Sequence, residues 1–260
     1  MTGEFSETWL SLREPADAAA RSTELVSMLP DGIHTVRDLG CGTGSLGRWL
    51  APRLPGPQRW VLQDRDPALL AYAATHLPSA AADGTAVTVE TAEGDVTGLT
   101  VADLAGTSLV TCSALLDLLT SGEVDRLAAV CAEARTPALF TLSVAGEVTL
   151  DPARPEDAAI EAAFNDHQRR VVAGRRLLGP DAPAAAAAAF ERAGATVITR
   201  PSPWRLGPER AALTAEWLRG WAGAAVEQCP DLQLDRYLSE RVAKPPAATI
   251  GHVDLLAIFD

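Results

Sequence analysis

At 260 residues the chain is long enough to bury one full core. A formal net charge of −12 sets a negative field around it, which opposes a phosphate backbone, so no nucleic-acid partner is expected. The 47% hydrophobic fraction holds no apolar run long enough to cross a bilayer, and MTGEFSETWL lacks the basic-then-apolar pattern of a secretory leader. The expectation is a soluble, cytoplasmic protein without a membrane partner, either a monomer or a homodimer.

Residues Glu7 to Leu29 carry apolar positions at helical spacing, Leu10, Leu12, Leu25 and Met28 among them, and Pro15 is expected to break that helix in two. Thr35 to Leu39 reads as a first strand that ends in a glycine-rich turn, with helix over Leu46 to Arg53. Further strands follow at Trp60 to Gln63, Val87 to Thr91, Leu109 to Cys112 and Ala138 to Val144. Helices are predicted over Pro67 to His76 and Val124 to Ala134. Such alternation implies right-handed crossovers and a parallel sheet.

The rhythm changes after Gly146. The charged, Pro-containing stretch from Asp151 to Gly179 is too long for an ordinary connection and reads as a lid. Asp181 and Pro183 open an Ala-rich helix, Ala184 to Arg192, which stops at Gly194 before a strand over Thr196 to Arg200. Beyond Pro208 comes a helix with Trp217 and Trp221 one turn apart, then a closing strand, His252 to Phe259.

Chemistry concentrates at Asp38-Leu39-Gly40-Cys41-Gly42-Thr43-Gly44. This segment follows a strand and opens a helix, so its glycines sit where the backbone turns tightly and meets a ligand closely. N–H groups at the helix start favour an anionic or hydrogen-bond-accepting part of that ligand. Asp64 ends the second strand about 20 positions past Gly44, where a carboxylate can accept ribose hydroxyls. Asp95, in Ala92-Glu93-Gly94-Asp95-Val96 after the third strand, is a third acid in register and can accept an adenine amino group.

This series resembles the class I S-adenosylmethionine-dependent methyltransferases, closely over residues 34 to 145 and elsewhere in strand order only. The resemblance implies a Rossmann-like α/β fold: a doubly wound, mostly parallel sheet with an antiparallel final strand, N-terminal helices and a lid insertion. One domain over 1–260 is expected, with a helical cap at 1–33, a cofactor-binding core at 34–145, a substrate insertion at 146–180 and completion of the sheet at 181–260. It also implies S-adenosylmethionine as cofactor and S-adenosylhomocysteine as product. Gly40, Cys41, Gly42 and Gly44, with Asp38 at the strand end, would line the methionine and ribose. Asp64 and Arg65 would hold the ribose and flank the adenine, Asp95 and Val96 would grip the adenine, and Cys112 and Ser113 would pass under the methionine. The usual Pro-Gly-Gly turn is replaced by Arg135-Thr136-Pro137-Ala138, and Ala114-Leu115-Leu116-Asp117-Leu118 lacks the frequent paired histidines.

Two other readings compete. Gly42-Thr43-Gly44-Ser45-Leu46-Gly47 also satisfies the dinucleotide fingerprint of a nicotinamide oxidoreductase. The short-chain type needs Tyr-x-x-x-Lys, but His76 follows Tyr72 and Arg241 follows Tyr237 at that spacing, and Lys244 is the only lysine. A relative that binds the cofactor without catalysis would keep the same motifs. No metal is expected, because Cys41, Cys112, Cys131 and Cys229 lack ligand spacing.

Methyl transfer asks the protein to align a nucleophile and exclude water; a base is needed only for acceptors that arrive protonated. His167 and Asp117 are the candidate bases, one in the expected lid and one beyond the fourth strand. Arg169 and Arg170, within a basic cluster that includes Arg175 and Arg176, suit an anionic small-molecule acceptor. Trp204 could wall an aromatic acceptor, and Arg13, on the segment that covers the pocket in this fold, could pair with the methionine carboxylate.

Overall fold

Short runs of buried apolar residues separated by amphipathic helices build the fold, seen in a computed structural model that describes residues 6–259. Met1 to Phe5, the head of the expected 1–33 cap, and Asp260 lie outside the described residues. In chain order the elements are α1 (Glu7–Ala20), α2 (Thr23–Ser27), β1 (Thr35–Leu39), α3 (Ser45–Leu50), β2 (Gln58–Asp64), α4 (Pro67–His76) and β3 (Val87–Glu93). Then come β4 (Leu109–Ser113), α5 (Ser121–Glu133), β5 (Ala138–Asp151), α6 (Asp157–Gln168), β6 (Val171–Val172) and β7 (Arg175–Arg176). The chain closes with α7 (Ala182–Arg192), β8 (Thr196–Pro201), β9 (Trp204–Leu206), α8 (Ala211–Gln228), α9 (Asp235–Ala243) and β10 (Ala247–Ile258).

The main sheet runs β3-β2-β1-β4-β5-β10-β8, with β9 added to one end of β10. Strands β3 through β5 are parallel to their neighbours, and β10 is antiparallel to β5, β8 and β9. This is the mostly parallel, Rossmann-like arrangement with an antiparallel closing strand. Among the described residues no helix is long and apolar enough to cross a membrane.

One face of the sheet carries α5 and α7, whose Val124, Leu127, Ala186 and Phe190 meet Val110 and Phe140. The other carries α2, α3 and α4, where Trp49, Leu50 and Leu70 cover Val36, Trp60 and Leu62. A third apolar cluster lies past the C-terminal ends of the parallel strands. There the far halves of β5 and β10, with β9, support α1, α6, α8 and α9 through Ile160, Trp204, Leu218 and Trp221.

Pro15 does not break the first helix; α1 runs through it, and the break comes at Arg21-Ser22. Pro15 and Ser11 are both exposed, so the Ser11 carbonyl that loses its partner faces water. Strands β5 and β10 extend well past the expected Val144 and ahead of the expected His252, because each supplies the other's ladder from Ala138–Ala257 to Asp151–Ala247. That ladder is bulged where Leu142 holds φ +56°, and the buried Asp254 carboxylate accepts the Leu142 N–H at 2.7 Å and the Ser22 N–H at 2.7 Å. The stretch from 151 to 179 holds α6, which buries Ile160 and lies against α8, followed by the β6–β7 hairpin.

Candidate functional site

The first turn of the site is forced by its glycines. Gly40 holds φ +61°, and a Cβ there would stand 2.8 Å from Leu115 Cδ2, so the loop passes beneath the turn after β4 with no room for a side chain. Gly44 caps α3 at φ +83°, wedged against Leu77 and Ala73 of the α4 segment. It therefore fixes the helix from behind and does not reach the cavity.

Above this loop the structure encloses a cavity of 480 Å³, a size suited to a nucleotide-like ligand. Of the expected cofactor residues, Asp38, Gly40, Cys41 and Gly42 line it from β1, Asp64 and Arg65 from β2, Asp95 and Val96 from β3, and Ser113 and Arg13 complete the wall. Cys112 is buried in the core behind the wall, and burial pushes its thiol well up. The Cys41 thiol is likewise pushed up by burial, so neither cysteine is a thiolate near neutral pH.

The three acids differ in their surroundings. Asp64 Oδ2 accepts the Gly42 N–H at 2.8 Å and Oδ1 the Asp66 N–H at 3.0 Å. Asp95 Oδ1 accepts the Thr97 N–H at 2.8 Å and its hydroxyl at 2.7 Å, bonds that lower its pKa from the ordinary value. Asp38 is almost wholly buried; Oδ1 accepts the Thr111 hydroxyl at 2.8 Å while Oδ2 has no partner, and burial pushes its pKa up to about 7 despite the Thr111 bond and the charge of Arg21.

One residue the sequence reading passed over supports the wall on the side of Ser45 and Ser113. Arg21 is buried under the floor and donates through Nη2 to the hydroxyls of Ser45 and Ser113, at 2.9 and 3.2 Å, both of which line the cavity. Arg13 forks onto Asp17 at 2.9 and 3.2 Å using Nε and Nη2, and its guanidinium lies 4.9 Å over the Trp204 ring. Trp204 Nε1 donates to the same Asp17 at 2.9 Å. Trp204 is thus buried beneath the Arg13–Asp17 pair and not on the cavity wall. Glu14 of α1 grips Arg48 of α3 at 2.6 and 2.7 Å, and Arg48 also donates to the Thr43 carbonyl, so α1 is tied down over the glycine loop. Only the helical spacing of Arg13, Asp17 and Arg21 signalled this group in the sequence.

The expected acceptor residues separate. His167 lies outside the cavity, its Nε2 3.1 Å from Glu227 of α8, and burial together with Arg170 lowers its pKa. Arg169 is consumed by a fork onto Asp181 at 2.7 and 2.8 Å and also lies outside the cavity. Arg170 donates to the His167 carbonyl at 3.0 Å. Asp117 stands on a turn, Leu116–Leu118, whose neighbours Leu115 and Leu118 line the cavity; its Oδ1 is buried without a partner, and burial pushes the carboxyl up to about 6. Arg175, from the hairpin, does line the cavity, and it forks onto Glu123 at the start of α5 at 2.7 and 2.9 Å. No group of residues suited to a metal ion occurs among the described residues.

Residues 36–138 match the family described as a methyltransferase domain. No curated protein matches the chain. Among solved structures, the cyclopropane synthase MmaA2 from Mycobacterium tuberculosis is similar in fold, with a TM-score of 0.52 at 12% identity over 97% of this chain and 94% of that one. A SAM-dependent methyltransferase from Geobacter sulfurreducens, solved with S-adenosyl-L-homocysteine, gives 0.46 at 17% identity over 97% and 98%.

Proposed function

We propose, from the match of residues 36–138 to the methyltransferase-domain family, that the protein transfers a methyl group from S-adenosylmethionine to a small molecule through an oxygen or nitrogen nucleophile, as a single domain. The observation that carries the reading is that acids at or just past the ends of three successive strands, Asp38, Asp64 and Asp95, line one cavity above a glycine loop. Their chemistry fits the cofactor. The bare, buried Asp38 Oδ2 calls for a donor, which a methionine ammonium provides. Asp64 and Arg65 hold the ribose, Asp95 and Val96 the adenine edge, and Gly40, Cys41, Gly42 and Ser113 the methionine chain.

Arg13 keeps Nη1 outside its Asp17 fork and supports the methionine carboxylate. When bound, S-adenosylmethionine supplies a methyl carbon on a cationic sulfur, open to in-line attack by a lone pair. The protein orients that attack and excludes water: α1 roofs the loop through Leu10 and Arg13, and Leu115 and Leu118 supply an apolar wall. Asp117, beside that wall, receives the acceptor's proton. The His167 ring, held by Glu227 through Nε2, sets Arg170, whose Nη1 lies 3.3 Å from its Nδ1.

The test is calorimetric titration with S-adenosylmethionine, S-adenosylhomocysteine and NADH, with Asp64→Ala as control. Binding of the first two, lost in the control, is expected; binding of NADH alone overturns the reading.

A further inference from the structure

The β6–β7 hairpin reaches the cofactor cavity with a single side chain, that of Arg175. Its turn residues Ala173 and Gly174 hold φ +49° and +78°, the paired positive values that let a tight turn match the twist of its strands. Val172 is thereby set opposite Arg175 and Val171 opposite Arg176. Successive side chains on a strand face opposite ways, so of the two arginines Arg176 is exposed while Arg175 turns back onto the cavity wall.

The Arg175 guanidinium is fixed before any ligand arrives. The Thr120 N–H that begins α5 donates to Glu123 Oε2 at 2.8 Å, which orients that carboxylate. Glu123 accepts Arg175 Nε at 2.9 Å and Nη2 at 2.7 Å, and Nη2 also donates to the Leu118 carbonyl at 3.2 Å. Nη1 has no partner among the described residues, and the side chain keeps 42% of its surface exposed. A planar cation held by three bonds, with one donor and part of its surface still open, loses little further freedom when a ligand lies against it.

Its surroundings identify which part of the ligand that is. Arg175 is bonded to Leu118, a cavity-wall residue, and its charge reaches Asp95, whose carboxyl is lowered first by the Thr97 N–H and then by Arg175 and Arg65. The charges that reach Asp117 are those of Arg13 and Arg170, so Arg175 belongs with the β3 acid. A carboxylate able to take an exocyclic amino group, apolar Val96 and Leu118, and a fixed planar cation together suit a flat heteroaromatic ring.

On the reading of the cavity given above, we infer that Arg175 is a cofactor-binding residue whose guanidinium covers the adenine, so that the β6–β7 hairpin serves the cofactor's base. Binding of the cofactor then holds the hairpin down as well.

The experiment needs no turnover. Hydrogen exchange is followed at residues 170–177 and at the glycine loop, residues 40–44, with and without saturating S-adenosylhomocysteine, and affinity is measured by calorimetry. In the parent protein the ligand is expected to slow exchange in both segments. 5′-Methylthioadenosine, which keeps the base and ribose and lacks the amino acid, is expected to slow the hairpin too, at a concentration that slows the loop. Arg175→Met is expected to weaken S-adenosylhomocysteine about 3- to 10-fold and, at saturation, to keep the slowing at 40–44 while losing it at 170–177. No slowing of the parent's hairpin overturns the inference without any variant. So does slowing by S-adenosylhomocysteine but not by 5′-methylthioadenosine, or an Arg175→Met protein that matches the parent in affinity and in hairpin exchange. Failure of S-adenosylhomocysteine to bind the parent instead removes the cofactor reading on which the inference rests.

Discussion

Asp64 Oδ2 accepts the Gly42 N–H at 2.8 Å, so the acid at the end of β2 is tied to the glycine loop before any ligand arrives. The same carboxylate would then serve two purposes, setting the loop and receiving the ribose. Asp64→Ala is expected to weaken S-adenosylhomocysteine binding by about 10- to 100-fold, since it removes charge-assisted bonds and frees a loop amide. Calorimetry reads the loss, and an affinity within threefold of the parent contradicts the dual role.

Asp38 predicts a pH dependence. Burial raises its folded pKa from 3.8 to about 7, so the folded state holds a proton that the unfolded chain releases. Its contribution is present in full below the unfolded value and is lost as pH rises through the folded one. Asp254, also raised by burial, acts in the same direction, and Glu123, which the Arg175 bond lowers to about 2, acts in the opposite one at lower pH. The melting temperature of Asp38→Asn is expected to fall less steeply than the parent's between pH 4 and about 7. Parallel curves would refute the assignment.

Asp254 is the buried acceptor of two backbone donors, Leu142 N–H and Ser22 N–H. Asp254→Ala leaves both without partners and removes a side chain that holds Leu142 at positive φ. A loss of about 2 to 5 kcal/mol is expected in denaturant titration.

Arg175 and Glu123 pin the β6–β7 hairpin to the start of α5. The arginine is partly exposed, so the pair itself contributes about 1 kcal/mol or less, but its position on the cavity wall gives it leverage over access. Glu123→Gln is expected to speed hydrogen exchange at residues 170–177 with little change in global stability. Unchanged exchange there would mean that Leu177 and Leu178 suffice to hold the hairpin.

Trp204→Phe tests the support of Arg13. It removes the Nε1 donor to Asp17 and narrows the surface under the guanidinium. Weakening of S-adenosylhomocysteine by about 3- to 10-fold is expected, with stability lowered by about 1 kcal/mol. Equal affinity would confine Trp204 to packing.

The parallel half of the fold was legible because each strand there is a short apolar run between turn residues, and α4 begins at Pro67 and ends at His76 as its sequence indicates. The glycine loop and its acids were legible for the same reason: backbone conformation and charge are written locally. Pairing was less so. The far halves of β5 and β10 find one another across about 100 residues and β9 finds β10 across about 45, and neither Glu147–Asp151 nor Trp204–Leu206 signals that alone. Arg21 was passed over because an arginine after a helix usually faces solvent; only folding shows it buried beneath Ser45 and Ser113. Arg169 misled in the opposite way, since its acid partner Asp181 comes twelve residues later, beyond the β6–β7 hairpin that folds back to bring the two together.

The place of β10 governs how the chain can be assembled. It lies between β5 and β8 and also carries β9, yet it follows all three in sequence. A nascent chain can pair β1 through β5 while β5 still presents an open edge, with Leu139 and Phe140 awaiting the cover that β10 helps to complete. Until synthesis reaches residues 247–258, that edge is a template for strands of other molecules, so truncation or slow release near this point would favour aggregation over a smaller working protein.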